Sequence, residues 1–241
     1  VLGRILWGDG ERSDALVLPD RIRANIKRQQ QDSEKLIGWI QLGIVSIFST
    51  LYAVSPGAFT ISNNIRLVPY ILITYFVFTI LRLYLVYRHT LPGWFISLSV
   101  IADIALLMIT IWSFHLQYDQ PPSFYLKAPT LLYIFIFIAL RALRFEARYV
   151  VLAGGVSALG WVLMFLYVIL VEPGNPMITR DYVQYLTTNS VLIGGELDKI
   201  ISIVMVTGIL ALAISRARGL LERSVAEGDK ARSLSRFFAP A

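Results

Sequence analysis

A chain of 241 residues with 56% hydrophobic and only 16% charged residues falls well short of the roughly 25% charge of soluble domains, which excludes an ordinary globular protein and indicates an integral membrane one. The formal net charge of +6 fits rims that face anionic lipid and carries no nucleic-acid signal. Zero cysteines exclude disulfides, thiolate metal sites and thiol chemistry. Each crossing takes about 20 apolar residues, so spans and short connections use most of the chain and no large soluble domain fits. Val1 in place of Met and the end at Ala241 read as a piece of a longer product. Residues 1–35 lack the apolar run of a signal peptide.

The first element, 18–35, starts with Pro19 and spaces Ile22 and Ile26 four apart among Arg21, Arg23, Lys27 and Arg28. This pattern predicts a basic amphipathic helix at the inner leaflet. It is either part of a cytoplasmic signalling assembly or a membrane-surface or solvated helix. Apolar runs then predict spans at 37–55, 67–87, 94–114, 128–140, 149–171 and 200–215. The fourth is short. It reaches full length only if 124–127 and 141–144 snorkel at its rims, and a re-entrant loop is the alternative.

Charge sets the topology. Segments 1–36, 88–93, 141–148 and 216–241 hold every basic residue except Arg66, Arg82, Lys127, Arg180 and Lys199. The positive-inside rule puts these segments, and both termini, in the cytoplasm, which requires an even number of crossings and supports the fourth span. The expected fold is an all-α integral membrane protein with six transmembrane helices, N-in and C-in. A cytoplasmic segment 1–36, a membrane domain 37–215 and a cytoplasmic segment 216–241 follow from it.

The sixth span continues as a helical pattern past Arg216, with no proline until Pro240. A heptad-like seam runs through Leu210, Ala213, Ala217, Leu220, Ser224, Glu227, Ala231 and Leu234. Ser224 and Glu227 interrupt it, and Gly219 and Gly228 weaken the helix by roughly 1 kcal/mol each relative to Ala. The segment reads either as a marginal parallel coiled coil that carries a signal or as a passive solvated connector.

At its end, Leu234-Ser-Arg-Phe-Phe-Ala-Pro240 resembles the short junction ahead of the first catalytic strand in bacterial class III adenylate and guanylate cyclases. The resemblance covers about the last tenth of the chain, and six spans agree with the hexahelical membrane anchors of that family. It implies a transducer junction made by Arg232, Leu234, Arg236, Phe237, Phe238 and Pro240, a homodimer, and the bacterial inner membrane. It also implies a catalytic domain beyond residue 241 that binds ATP with magnesium or manganese at a dimer interface and releases cyclic AMP and pyrophosphate. The family's metal-binding aspartates, substrate-selecting residues and transition-state arginine have no counterparts here, so this chain is expected to carry no catalytic residues and no cofactor. A small membrane transporter, channel or accessory subunit is the alternative, and a sensor-kinase anchor a third. A transporter calls for repeated halves and broken helices at the midplane; Asp103 has no equivalent in the second half.

Other candidates lie within the spans. Asp103, near the midplane of the third span, and Arg82 in the second suit either a structural ion pair or a titrating, ligand-contacting site. Small residues four apart at Gly154/Ala158, Ala211/Ser215 and Ala213/Ala217 permit close helix approach, the sixth span being favoured at a dimer axis and Gly154, Gly155 and Gly160 for packing within one protomer. His89 and His115 should lie about 30 Å apart at opposite rims, which disfavours haem held between them. At the outer side, Trp112, Tyr118, Asp119, Tyr125, Tyr182 and Tyr185 either line a pocket for a lipid-like or quinone-like ligand or belong to an interfacial aromatic belt. Residues 177–192 suit a short helix on the outer surface.

Overall fold

The computed structural model describes residues 20–54, 67–171 and 178–237. Seven α-helices are among them: α1 Asp20–Val54, α2 Leu67–Arg88, α3 Gly93–Gln117, α4 Tyr133–Ala142, α5 Ala147–Val171, α6 Tyr182–Thr187 and α7 Ile193–Phe237. Two 3-10 helices, Pro122–Lys127 and Pro129–Leu132, lead into α4. The only β pairing among the described residues is a bridge between Ile178 and Val191.

Helix is what hydrocarbon demands, because a backbone without water must satisfy its N–H and C=O groups within the segment. Side-chain hydroxyls obey the same rule. Thr79, Ser157 and Thr207 each donate to the carbonyl four residues earlier, at 2.6–2.8 Å. Arg28–Val54, Leu67–Arg88, Gly93–Gln117, Ala147–Val171 and Ile193–Leu221 are long and apolar enough to cross a membrane. Their outward faces are apolar: Ile73, Val77 and Ile80 on α2, Leu159, Leu163 and Leu170 on α5, and Ile201, Val204 and Ile209 on α7 are all exposed. Arg82, Asp103, Arg141 and Glu196 are buried instead. Grease outside and charge inside is the arrangement lipid selects, and the protein is a multi-pass helical membrane bundle.

Two elements differ from the sequence reading. The basic N-terminal segment and the first span form one 35-residue helix, about 52 Å long at 1.5 Å per residue. The fourth span is not a regular full-length helix. Pro122 and Pro129 occupy first-turn positions of the two 3-10 helices, and Ala128, ahead of Pro129, is extended at φ −65°, ψ 125°, as the pre-proline clash requires. What remains continuous is the shorter apolar helix Pro129–Ala142.

α2 packs between α1 and α3, α3 packs on α5, and α5 on α7, while α4 sits among α3, α5 and α7. The core of the bundle is apolar, built from Val100, Ile104, Ile111, Ile134, Phe137, Ile138, Val150 and Ala153. At one end of α4, the Lys199 ammonium at the start of α7 donates to the Leu126 carbonyl at 2.6 Å. At the other end, Arg144 meets Glu34 near the membrane entry of α1 at 2.6 Å. Phe145, at φ 57°, turns the chain from α4 into α5.

Gly154 fixes the α5 to α7 approach: a Cβ there would lie 1.9 Å from Thr207 Oγ1 and 2.6 Å from Thr207 Cβ. Small-residue contact of this kind holds helices together in lipid, where apolar surface alone gives no preference for protein over tails. A Cβ at Gly160 would come 3.3 Å from Met108 Cγ, tighter than usual, whereas Gly155 faces open space. Gly154→Ala is expected to destabilise the protein by about 1–3 kcal/mol through overpacking, read as a lower thermal midpoint in nanodiscs. Adding Thr207→Gly, which removes every clashing atom, should restore part of the loss.

Candidate functional site

Two buried polar clusters lie toward different ends of the bundle, the first reaching inward to Asp103 in the middle of α3. The first joins five side chains of alternating charge. Arg144 meets Glu34 at 2.6 Å, Glu34 meets Arg82 at 2.7 Å, Arg82 meets Asp103 at 3.3 Å, and Asp103 meets Arg141. Arg144 also binds Glu146 at 2.7 Å, and Glu146 binds Arg148 at 2.6 Å. The buried arginines Arg82, Arg141 and Arg144 thus face the buried carboxylates of Glu34, Asp103 and Glu146 three for three, and Arg148, 57% exposed, adds one positive charge at the rim.

Each member is placed by helix geometry. Glu34, Ile37, Gln41 and Val45 form the buried stripe of α1, at spacings of three and four that share one face. Gln41 accepts from Arg82 at 2.7 Å and donates to the Tyr75 hydroxyl at 3.1 Å. Gln30 donates to Glu146 at 3.0 Å and Gln31 to the Val86 carbonyl at 3.1 Å. The pairing therefore ties α1, α2, α3, α4 and the turn into α5. Burial withdraws solvation from Arg144, but Glu146 and Glu34 outweigh that and hold its guanidinium above the ordinary arginine value.

The second cluster surrounds Glu196, fully buried in the first turn of α7. Its carboxylate accepts from Trp161 Nε1 at 3.0 Å and from Lys199 at 2.7 Å. Lys199 also lies 5.2 Å from the Trp161 ring centroid. Lys127 donates to the Tyr185 and Thr188 carbonyls and sits over the Tyr185 ring, which fastens α6 to the 3-10 segment. Burial and then the neighbouring Lys199 pull the Lys127 ammonium down. Burial and then Glu196 push the Tyr185 phenol up to about 12.

The sequence-derived candidates distribute unevenly over these clusters. Arg82 and Asp103 do meet, as two members of a larger network. Trp112 and Tyr125 share an aromatic cluster with His115 and Tyr167: the His115 ring lies 5.0 Å from Trp112 and 5.6 Å from Tyr125, and the Tyr125 hydroxyl donates to the Met164 carbonyl at 2.7 Å. His115 is buried, with Nδ1 on the Trp112 carbonyl; His89 is exposed just beyond α2. Tyr182 and Tyr185 pair at 6.1 Å on α6, the short surface helix expected within 177–192. Tyr118 is exposed against Phe124 at 5.7 Å, and Asp119 is an exposed turn residue at φ 49°. These residues thus divide into separate aromatic groups.

On α7, Ala211 is buried within the protomer, while Ala213 and Leu220 are exposed. The backbone of Arg232, Leu234, Arg236 and Phe237 is helical; Phe238 and Pro240 lie outside the described residues. Glu34, Gln41, Arg141, Arg144, Glu146, Glu196 and Lys199 were missed as site residues. The signal available was polarity at stripe positions: Glu34 and Gln41 fall on the apolar face of α1, and Glu196 and Lys199 flank the last span one turn apart. Among the described residues no group of three His, Asp or Glu side chains is placed to hold a metal ion. Comparison with protein-family models, with curated proteins and with solved structures finds no match to this chain.

The pairing ranks its own substitutions. Asp103 is the carboxylate that Arg141 binds, whereas loss of Glu34 leaves Arg82 with Asp103 and Arg144 with Glu146. Asp103→Ala is expected to cost about 3–5 kcal/mol, the penalty of an uncompensated buried charge, and Glu34→Ala less. Combining Asp103→Ala with Arg141→Met should recover much of the loss. Thermal unfolding in nanodiscs checks all three.

Proposed function

We propose that this chain is the membrane anchor and regulatory module of a bacterial class III adenylate cyclase, crossing the inner membrane six times with both termini in the cytoplasm and acting as a homodimer. The observation that carries the reading is α7. It is a single 45-residue helix, about 68 Å long at 1.5 Å per residue, against a hydrocarbon core of about 30 Å. It therefore continues well beyond the bilayer, and its last turn carries Leu234-Ser-Arg-Phe237 of the cyclase-like junction. A rod that leaves the membrane without a break transmits rotation or translation to whatever follows it.

Six crossings are supported by the placement of the fourth segment. Its ends are fastened to different polar clusters, Leu126 to Lys199 and Arg144 to Glu34, as those of a segment crossing the bundle between them would be. The end that holds Glu34, Arg82, Arg144 and Arg148 is the end the positive-inside rule assigns to the cytoplasm. The exposed Ala213, Leu220 and Ser224 on α7 leave the proposed seam open to a second copy. ATP and its metal ions belong to the catalytic domain of the reading; this chain contributes support, pairing and regulation.

The test is cyclic AMP formation from ATP with magnesium or manganese by the full-length gene product in membranes, with its intact mass compared with 27.2 kDa. A heavier product that forms cyclic AMP supports the anchor reading. A product of that mass without activity moves the transporter or accessory-subunit reading forward. In the active protein, inserting one residue after Arg223 should change cyclase activity because it rotates the junction by about 100° on a helix of 3.6 residues per turn. Equal activity for inserts of every length would leave α7 a passive tether.

A further inference from the structure

At the Glu34 end of the bundle, α1 and α2 carry a patch of exposed aromatic and basic side chains that the buried network does not use. Trp39, Tyr84 and Tyr87 are 55–56% exposed. The Trp39 indole N–H donates to the Tyr87 hydroxyl at 3.2 Å, and the Lys35 ammonium lies 5.5 Å from the centre of the same Tyr87 ring. Beside them on α2, the Arg88 guanidinium lies 5.6 Å from the centre of the Tyr84 ring. Tyr84 and Tyr87, three residues apart, are neighbours on the helix surface, which joins these contacts into one patch. Gly38 sets the approach of the two helices: a Cβ there would lie 2.8 Å from Leu83 Cδ1, so α1 comes close enough to α2 for Trp39 to reach Tyr87.

We propose that this patch binds the headgroup of one anionic phospholipid, with Arg88 on its phosphate and the Trp39 and Tyr87 pair beside it. Depth, charge and continuity with the lipid-facing surface support the assignment. A helical Cβ tilts toward the N-terminus of its own helix, so Arg88, in the last turn of α2, folds back over Tyr84 instead of extending into water. Its charge is thereby held at the level where Trp and Tyr mark a membrane interface. Lys35, over the neighbouring ring, is matched by Asp32 at 3.0 Å, whereas Arg88 makes no ion pair among the described residues and leaves this stretch of rim positive. Toward the bilayer centre the Tyr84 face of α2 continues through Ile80, Val77 and Ile73, all apolar and exposed, a track for acyl chains that a free anion would leave bare. A choline or ethanolamine head would set a further cation against Arg88 and Lys35, so a headgroup of net negative charge fits best. The positive-inside rule places this end in the cytoplasmic leaflet, and the inference does not depend on the cyclase reading.

Fluorine NMR of the purified chain carrying fluorotryptophan, in micelles of a neutral detergent, tests the proposal at the site itself, with Trp39→Phe assigning the Trp39 resonance. The probes are a short-chain phosphatidylglycerol, phosphatidylcholine of the same chain length and inorganic phosphate. The expected result is a saturable shift of the Trp39 resonance by phosphatidylglycerol, with phosphatidylcholine needing a severalfold higher concentration and inorganic phosphate giving no shift. Arg88→Gln should raise the phosphatidylglycerol midpoint about fivefold, the worth of one basic residue at an anionic surface. Arg216→Gln, which removes an exposed arginine of α7, should leave it unchanged. Equal midpoints for the two lipids would overturn the proposal, as would a midpoint that Arg88→Gln does not move. Saturation of the shift by inorganic phosphate, which brings no acyl chains, would overturn it as well.

Discussion

A guanidinium inside a lipid-embedded bundle is tolerated only where carboxylates meet it, and Arg82 and Arg141 therefore dictate where four helices sit. Asp103 must stand between them, which sets α3 against α2 and α4. Glu34 must reach Arg82 and Arg144 together, which holds the entry of α1 against both α2 and the turn into α5. Hydrophobic packing could not impose this arrangement, because lipid tails solvate apolar faces as well as neighbouring helices do. In the membrane, specificity falls to charge pairing and to close approach at small residues such as Gly154.

The polar groups are segregated to suit that constraint. The Glu34 to Arg144 cluster and the Glu196 cluster stand toward different ends, with an apolar layer of isoleucine, valine and phenylalanine between them. α4, α5 and α7 meet in that layer. α7 belongs to both regimes: its first turn is held by Glu196 and Lys199, its middle is packed against Gly154 through Thr207, and its helix runs on past the apolar stretch Ile193–Leu221 to Phe237. The Tyr185 and Lys127 cap is thus joined through Glu196 and Lys199 to the first turn of this helix.

Much of the fold was legible because hydrocarbon imposes simple rules. The positions of α2, α3, α5 and the membrane part of α7 follow from apolar runs of sufficient length, and the helical run beyond Arg216 follows from the lack of proline before Pro240. The fourth segment was harder to read. Pro122 and Pro129 announce breaks, but whether a short, broken segment still links both ends of a bundle depends on its neighbours. The Arg82 and Asp103 pair was legible because two charges in successive spans need one another. Glu34, Arg141 and Arg144 were not, since each lies near a rim where water would serve equally well.

The sequence by itself determined the solvent, the helical class and the long unbroken run of the last helix, because hydropathy and proline placement act locally along the chain. Only the tertiary structure decided which charges are compensated by which, that His115 and Tyr125 are buried among aromatic neighbours rather than lining a cleft with Tyr182, and that Gly154 belongs to Thr207. Those outcomes depend on distances between residues far apart in the chain, and the periodicity of a helix reveals the face a residue occupies but not the partner that face will meet.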